Sequence, residues 1–258
     1  MRGRWRHQTA RVAVMLGVVG GLLSLGHEAV AVYSYLTLSI SDATVFESNF
    51  GSTAAQFIVT LSAQSSDTVT VSFLTVDGTA HSPDDYTART GTLTFRPGET
   101  VHTISVHVKG DLIDEPNETF SVDLYNSTNA FIGDGEGQGT IIDNDPPPSI
   151  FISDTQVIEA NLGKTPATFS VSLSGPSGRI VSVDYTTADG TARAPSDYFA
   201  TQGTVTFLPG MSTATVTIYV KGDTTRERDE HFFVNLSFPL NGVIVDGRGV
   251  GVILNDDT

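Results

Sequence analysis

Residue 40 answers to residue 152, and from there residues 40–145 align on residues 152–257 at a constant offset of 112 without a gap. About 49 of the 106 pairs are identical, so the chain is one unit written twice. ISDATVFESNFG answers to ISDTQVIEANLG, DGTAHSPDDY to DGTARAPSDY, and GTLTFRPGE to GTVTFLPGM. Between the copies lies DPPPS, whose proline rings favour a stiff, extended connection. The organisation expected is a leader at 1–31, a first domain at 34–145 and a second at 146–258.

Each copy alternates with a period of two. Phe57, Val59 and Leu61 alternate with polar neighbours, as do Ile104, Val106 and Val108, and again Phe120, Val122 and Leu124. Pro97-Gly98 marks a tight turn between two such runs. No stretch after the leader keeps a 3.6 period. The fold class expected is all-β: two tandem immunoglobulin-like antiparallel β-sandwiches of about seven strands each. In copy one these strands fall at 36–42, 55–61, 68–75, 91–96, 101–108, 118–125 and 136–142.

The leader has the parts of an export signal. Arg2, Arg4, Arg6 and Arg11 precede the apolar run VAVMLGVVGGLLSLG, and Ala29 and Ala31 give a small-residue cleavage pattern before Val32. That run is short of the roughly 20 residues that span a bilayer. The expectation is a cleaved signal, a secreted or cell-surface protein and no transmembrane span in the mature chain; retention as an anchor is the other outcome. Cleavage would move the formal charge from -15 to about -18. Nucleic acid and anionic membrane are poor partners for such a surface, whereas metal cations and basic proteins are good ones. With no cysteine, an exported chain must be stapled by something other than disulfides.

Strand counting locates the acids. If strands alternate between the two ends of a sandwich, the connections 43–54, 76–90, 109–117 and the tail after 142 share one end. They carry Glu47, Asp84, Asp85, Asp111, Asp114, Glu115, Asp143 and Asp145, and Glu118 begins the strand that leaves that end. Glu47, Asp85, Asp111, Glu115, Glu118 and Asp145 recur as Glu159, Asp197, Asp223, Glu227, Glu230 and Asp257, whereas Asp114 has become Arg226 and so falls outside the set. Calcium suits such a pole, being a hard cation that takes six to eight oxygens. Magnesium demands tighter octahedral geometry, and zinc would want His or Cys there.

DGTA…P.DY, GT.TF.PG, the GD…E..E.F loop and the closing D-N-D or N-D-D resemble, in order and spacing, the Calx-beta domain of sodium/calcium exchangers and many extracellular repeat proteins. The resemblance covers 38–257 in both copies and implies an immunoglobulin-like sandwich with calcium held by loops at one end. It implies as ligands Glu47, Asp85, Asp111, Glu115, Glu118, Asp143 and Asp145, with the Ile113 carbonyl; in copy two, Glu159, Asp197, Asp223, Glu227, Glu230, Asp256 and Asp257, with the Thr225 carbonyl. Asn144 and Asn255 are neutral members of the same triplets, and Gly110 and Gly222 stand where the exchanger loop carries a second aspartate. Fewer or weaker ions per domain follow from those departures.

No catalytic constellation is present in the sequence. His102 and His107, five apart on one strand, point to opposite faces. GDGEGQG lacks the P-loop lysine. Asn117, Asn126 and Asn235 head N-x-S/T triplets, of consequence only in a glycosylating host. The function expected is an exported, non-enzymatic calcium-binding module with a structural or adhesive role toward a protein partner or matrix component. A calcium sensor or accessory subunit acting on a membrane partner is the alternative.

Overall fold

The computed structural model describes residues 35–257, and the leader expected at 1–31 lies outside the described residues. Copy one folds as β1 (Thr37–Ile40), β2 (Ala43–Phe46), β3 (Ser52–Leu61), β4 (Val69–Asp77), β5 (Thr90–Phe95), β6 (Val101–Lys109), β7 (Glu118–Thr128), β8 (Phe131–Asp134) and β9 (Glu136–Ile142). Copy two repeats them as β10 (Ser149–Ile152), β11 (Thr155–Ile158), β12 (Gly163–Leu173), β13 (Val181–Asp189), β14 (Gln202–Phe207), β15 (Thr213–Gly222), β16 (Glu230–Leu240), β17 (Val243–Asp246) and β18 (Arg248–Leu254). One sheet of copy one has the order β6-β3-β1-β8 and the other β2-β9-β7-β4-β5; copy two has the corresponding orders. The chain is two tandem immunoglobulin-like β-sandwiches.

The alternating residues of the sequence make the two cores. Phe57, Val59, Ile104, Val106, Val108, Phe120 and Val122 are buried in the first, and Phe169, Val171, Val216, Ile218, Val220, Phe232 and Val234 in the second. Each fully buried side chain of this kind contributes about 1.5–3 kcal/mol. The D of DGTA and the Y of the D-Y motif form one device. Tyr86 stacks on Phe120 at 4.5 Å between ring centroids and donates its hydroxyl to Asp77 at 2.5 Å. Tyr198, Phe232 and Asp189 repeat the arrangement, with a hydroxyl contact of 2.6 Å. The apolar ring anchors the 78–85 loop to the core while the carboxylate satisfies its polar tip.

Nine strands stand where about seven were expected. The single strand expected at 36–42 ends at Ile40, and the chain then changes sheets. Ser41 Oγ accepts the Ile58 amide at 3.0 Å and Asp42 Oδ1 accepts the Gln138 amide at 2.8 Å. These two side chains replace ladder bonds across the step, so β1 lies in one sheet and β2 in the other. The short β8 occupies the expected connection 126–135. Both additions pair in parallel, β1 with β8 and β2 with β9, so the sandwich is mostly and not wholly antiparallel.

Candidate metal centre

The strand ends that parity assigned to one pole do meet there. Glu47 follows β2, and its amide donates to Ile142 O at 3.1 Å, which ties it to the end of β9 and so to Asp145. Asp111 follows β6; its Oδ1 accepts the Ile113 amide at 2.7 Å, folding the loop back on itself. Asp85 Oδ2 accepts the His81 amide at 2.6 Å, and Asp85 O accepts the Lys109 amide at 2.8 Å, bringing the D-Y turn against the end of β6. Gly110 has a steric reason to be there. A Cβ at this position would lie 1.4 Å from Ser48 O, and at Gly222 one would lie 2.1 Å from Ala160 O. A residue with a Cβ, an aspartate included, has no room at either position in this chain.

The carboxylates separate into two groups in each copy. Glu47, Asp111 and Asp145 each place an oxygen within 4.8 Å of the others, as do Asp85, Glu115 and Glu118. Copy two repeats both groups, as Glu159 with Asp223 and Asp257, and Asp197 with Glu227 and Glu230. Four expected ligands stand outside these groups. Asp143 Oδ1 accepts the Asp145 amide at 3.4 Å, and Asp256 Oδ1 accepts the Ala160 amide at 3.2 Å. Ile113 and Thr225 contribute amides, donated to Asp111 and Asp223 at 2.7 Å each.

These groups hold charge at a cost. Glu47 is buried, its Oε1 has no hydrogen-bond partner, and Asp145 Oδ2 and Asp257 Oδ2 share that condition. Burial first, then the charges of Asp111, Asp143, Glu115 and Asp145, pushes Glu47 up to about 8. Burial and the Asp111 and Asp85 charges raise Glu115 to about 7, and burial and Asp85 raise Glu118 to about 7. In copy two Glu230 reaches about 7 through burial and Asp197, while Glu159 and Glu227 are raised, chiefly by burial. A buried, unpartnered carboxylate oxygen facing two other carboxylates is the environment a hard cation relieves. The residues fit a calcium ion: all-oxygen donors in loops and at the first residues of β7 and β16, with no histidine in any of the four groups.

Asp114, which comparison of the copies set aside, has a different and specific task. It is buried, and its Oδ1 accepts Arg179 Nε of the second sandwich at 3.1 Å. Its main-chain oxygen accepts the Gly178 amide and Ser177 Oγ, each at 3.0 Å, and Arg179 also donates to Glu115 O. The loop that brings Asp111 and Glu115 into the carboxylate groups is thus also the loop that grips the next domain. Arg179 is half-buried, so removing it leaves the buried Asp114 carboxylate without its cation at a cost below that of a fully buried pair. Arg179→Ala should therefore loosen the junction, read as a larger radius of gyration by small-angle scattering, without lowering the melting temperature of the separate second domain. An unchanged scattering profile would show that the latch holds nothing.

The Calx-beta domain model matches residues 36–147 and 143–258, which together span both sandwiches. The chain belongs to the Calx-beta domain family. Sodium/calcium exchanger 1 of Bos taurus is 30% identical over 209 residues, covering 72% of this chain and 21% of the exchanger. Sodium/calcium exchanger 2 of Rattus norvegicus is 44% identical over 68 residues, 26% of this chain and 7% of that protein. This Calx-beta chain therefore spans about a fifth of the length of the first of these relatives. Among solved structures, the CBD12 of CALX1.2 aligns at 20% identity over 84% of this chain and 99% of that one, with a TM-score of 0.40. The calcium binding domain CBD12 of CALX1.1 aligns at 24% identity over 78% and 79%, with a TM-score of 0.39. No helix among the described residues is long and apolar enough to cross a membrane.

Proposed function

We propose that this tandem Calx-beta chain is a non-enzymatic calcium-binding module in which the ion rigidifies the loops of each pole and, in the first domain, the junction to the second. The observation that carries the reading is the sharing of one loop, 111–118, between the carboxylate groups and the Asp114–Arg179 latch. Calcium would be held by Glu47, Asp111 and Asp145, and by Asp85, Glu115 and Glu118, with the corresponding six residues in the second domain. Asp143, Asp256 and the carbonyls of Ile113 and Thr225 complete the proposed set at its margin. The ion supplies positive charge where buried carboxylates repel, and the chain's own residues orient the loop that carries Asp114. In an exported protein this would make a calcium-stiffened two-domain rod with an adhesive or matrix role. Its partner would be a protein or matrix component.

The second reading, a calcium sensor or accessory subunit of a membrane protein, is favoured by the exchangers among its relatives. Affinity separates the two, because structural extracellular modules bind at about 10⁻⁴–10⁻³ M and sensors at about 10⁻⁷–10⁻⁵ M. Replacing Glu115 and Glu118 together by Gln should abolish the calcium-dependent contraction of the scattering profile. Profiles of the wild type that superimpose with calcium and with chelator would refute the rigid-junction reading.

A further inference from the structure

Between the two copies, the positions that build the latch are occupied by reversed charges. The gripping loop of the first domain carries Asp114, and the same position in the second carries Arg226. The receiving loop of the second domain carries Arg179, and the same position in the first carries Asp67. Two independent mismatches therefore restore complementarity between the far ends of the molecule: Arg226 at the second domain's acidic pole, Asp67 at the first domain's opposite pole. Both side chains are exposed, and neither has an ion-pair partner among the described residues.

The receiving loop of the first domain is already in the latched shape. Ser177 Oγ accepts the Arg179 amide at 3.0 Å, and Ser65 Oγ accepts the Asp67 amide at 3.0 Å. Ser177 O accepts the Gly210 amide at 2.9 Å, and Ser65 O accepts the Gly98 amide at 3.1 Å. Ser65 thus presents the hydroxyl, and residue 66 the amide, that in the internal junction reach a main-chain oxygen. Ala63 replaces Gly175, where a Cβ meets nothing within 4 Å. Ser66 replaces Gly178, where a Cβ lies 2.8 Å from the Glu115 side chain, so the exposed Glu227 must turn aside.

We infer that Arg226 of one chain and Asp67 of a second copy form a charge-reversed version of the internal latch, joining chains head to tail. The guanidinium donates to the Asp67 carboxylate, and the Arg226 carbonyl accepts from Ser65 Oγ and the Ser66 amide. Such a contact joins unlike surfaces and leaves both ends open, so it extends into a linear array rather than closing a dimer. It lacks the effective concentration that the 146–148 linker gives the internal latch, and it forms only at high protein concentration.

Sedimentation equilibrium of the full chain with calcium, from about 10 µM to about 1 mM, tests it. The wild type should rise in average mass with concentration. Arg226→Asp and Asp67→Arg should each remain at monomer mass, because each faces like charge with like. Mixing the two variants should restore association, since each head then meets an opposite tail; recovery also shows that both are folded. A wild type that stays monomeric throughout overturns the inference. So do single variants that associate like the wild type, or a mixture that does not recover. The outcome is independent of the calcium reading, since calorimetric calcium binding is measured on the monomer.

Discussion

In chelator, the chain melts at a lower temperature at pH 8 than at pH 5, by at least about 5 °C, and calcium removes most of that fall. The cause is the proton affinity of the acidic poles. Glu47, Glu115, Glu118 and Glu230 have an ordinary value of 4.5 and are raised in the folded chain to about 8, 7, 7 and 7. Between pH 4.5 and 8 the folded chain therefore holds protons that the unfolded chain has released, and raising the pH favours unfolding. Their stabilising contribution is complete below pH 4.5 and is lost as the pH rises through about 7 for Glu115, Glu118 and Glu230 and through about 8 for Glu47. Under the proposed reading calcium would compete with those protons for the same oxygens, so its effect on the melting temperature should grow over the same interval. A melting temperature in chelator that is flat or rising between pH 5 and 8 would contradict this account of the poles.

The second large effect separates a binding carboxylate from a structural one. Glu47→Gln keeps the shape of the side chain and removes a buried charge whose Oε1 has no partner. At pH 8.5 in chelator, where the wild type must ionise this group, the variant should melt above the wild type. In calcium the order should invert, and calcium affinity at the first domain should fall at least ~10-fold. If Glu47 were held only by contacts within the protein, the variant would melt lower under both conditions, and that result would exclude a role in binding. Glu159→Gln should behave in the same sense but more weakly, because neither Glu159 oxygen is among the buried unpartnered atoms.

Parity of the strands was enough to gather Glu47, Asp85, Asp111, Glu115, Glu118 and Asp145 onto one end, since a seven-strand count and the nine-strand fold agree on which connections share that end. The extra strands do not disturb the count. β2 lies within the expected connection after the first strand, and β8 within the expected opposite-end turn. Counting strands does not say how carboxylates divide within a pole. That division depends on the Glu47–Ile142 and Asp85–Lys109 main-chain bonds, which no alternation of residues encodes. Asp114 was illegible for a different reason. A chain with two copies has one junction, so a residue serving that junction has no counterpart to match, and Arg226 made it look like drift. The readable signal was a second Asp-to-Arg exchange in the same direction, Asp67 in the first copy against Arg179 in the second, at the loop that Asp114 grips.

The most direct test is a calorimetric titration of calcium into the chelator-treated chain at pH 7.5, run in two buffers of different ionisation enthalpy. The expected result is a saturable heat with more than one ion per chain. That heat should also depend on the buffer, because the protons held by Glu47, Glu115, Glu118 and Glu230 would leave as calcium enters. No saturable heat up to about 10 mM calcium, beyond the weakest structural sites of this kind, would contradict it.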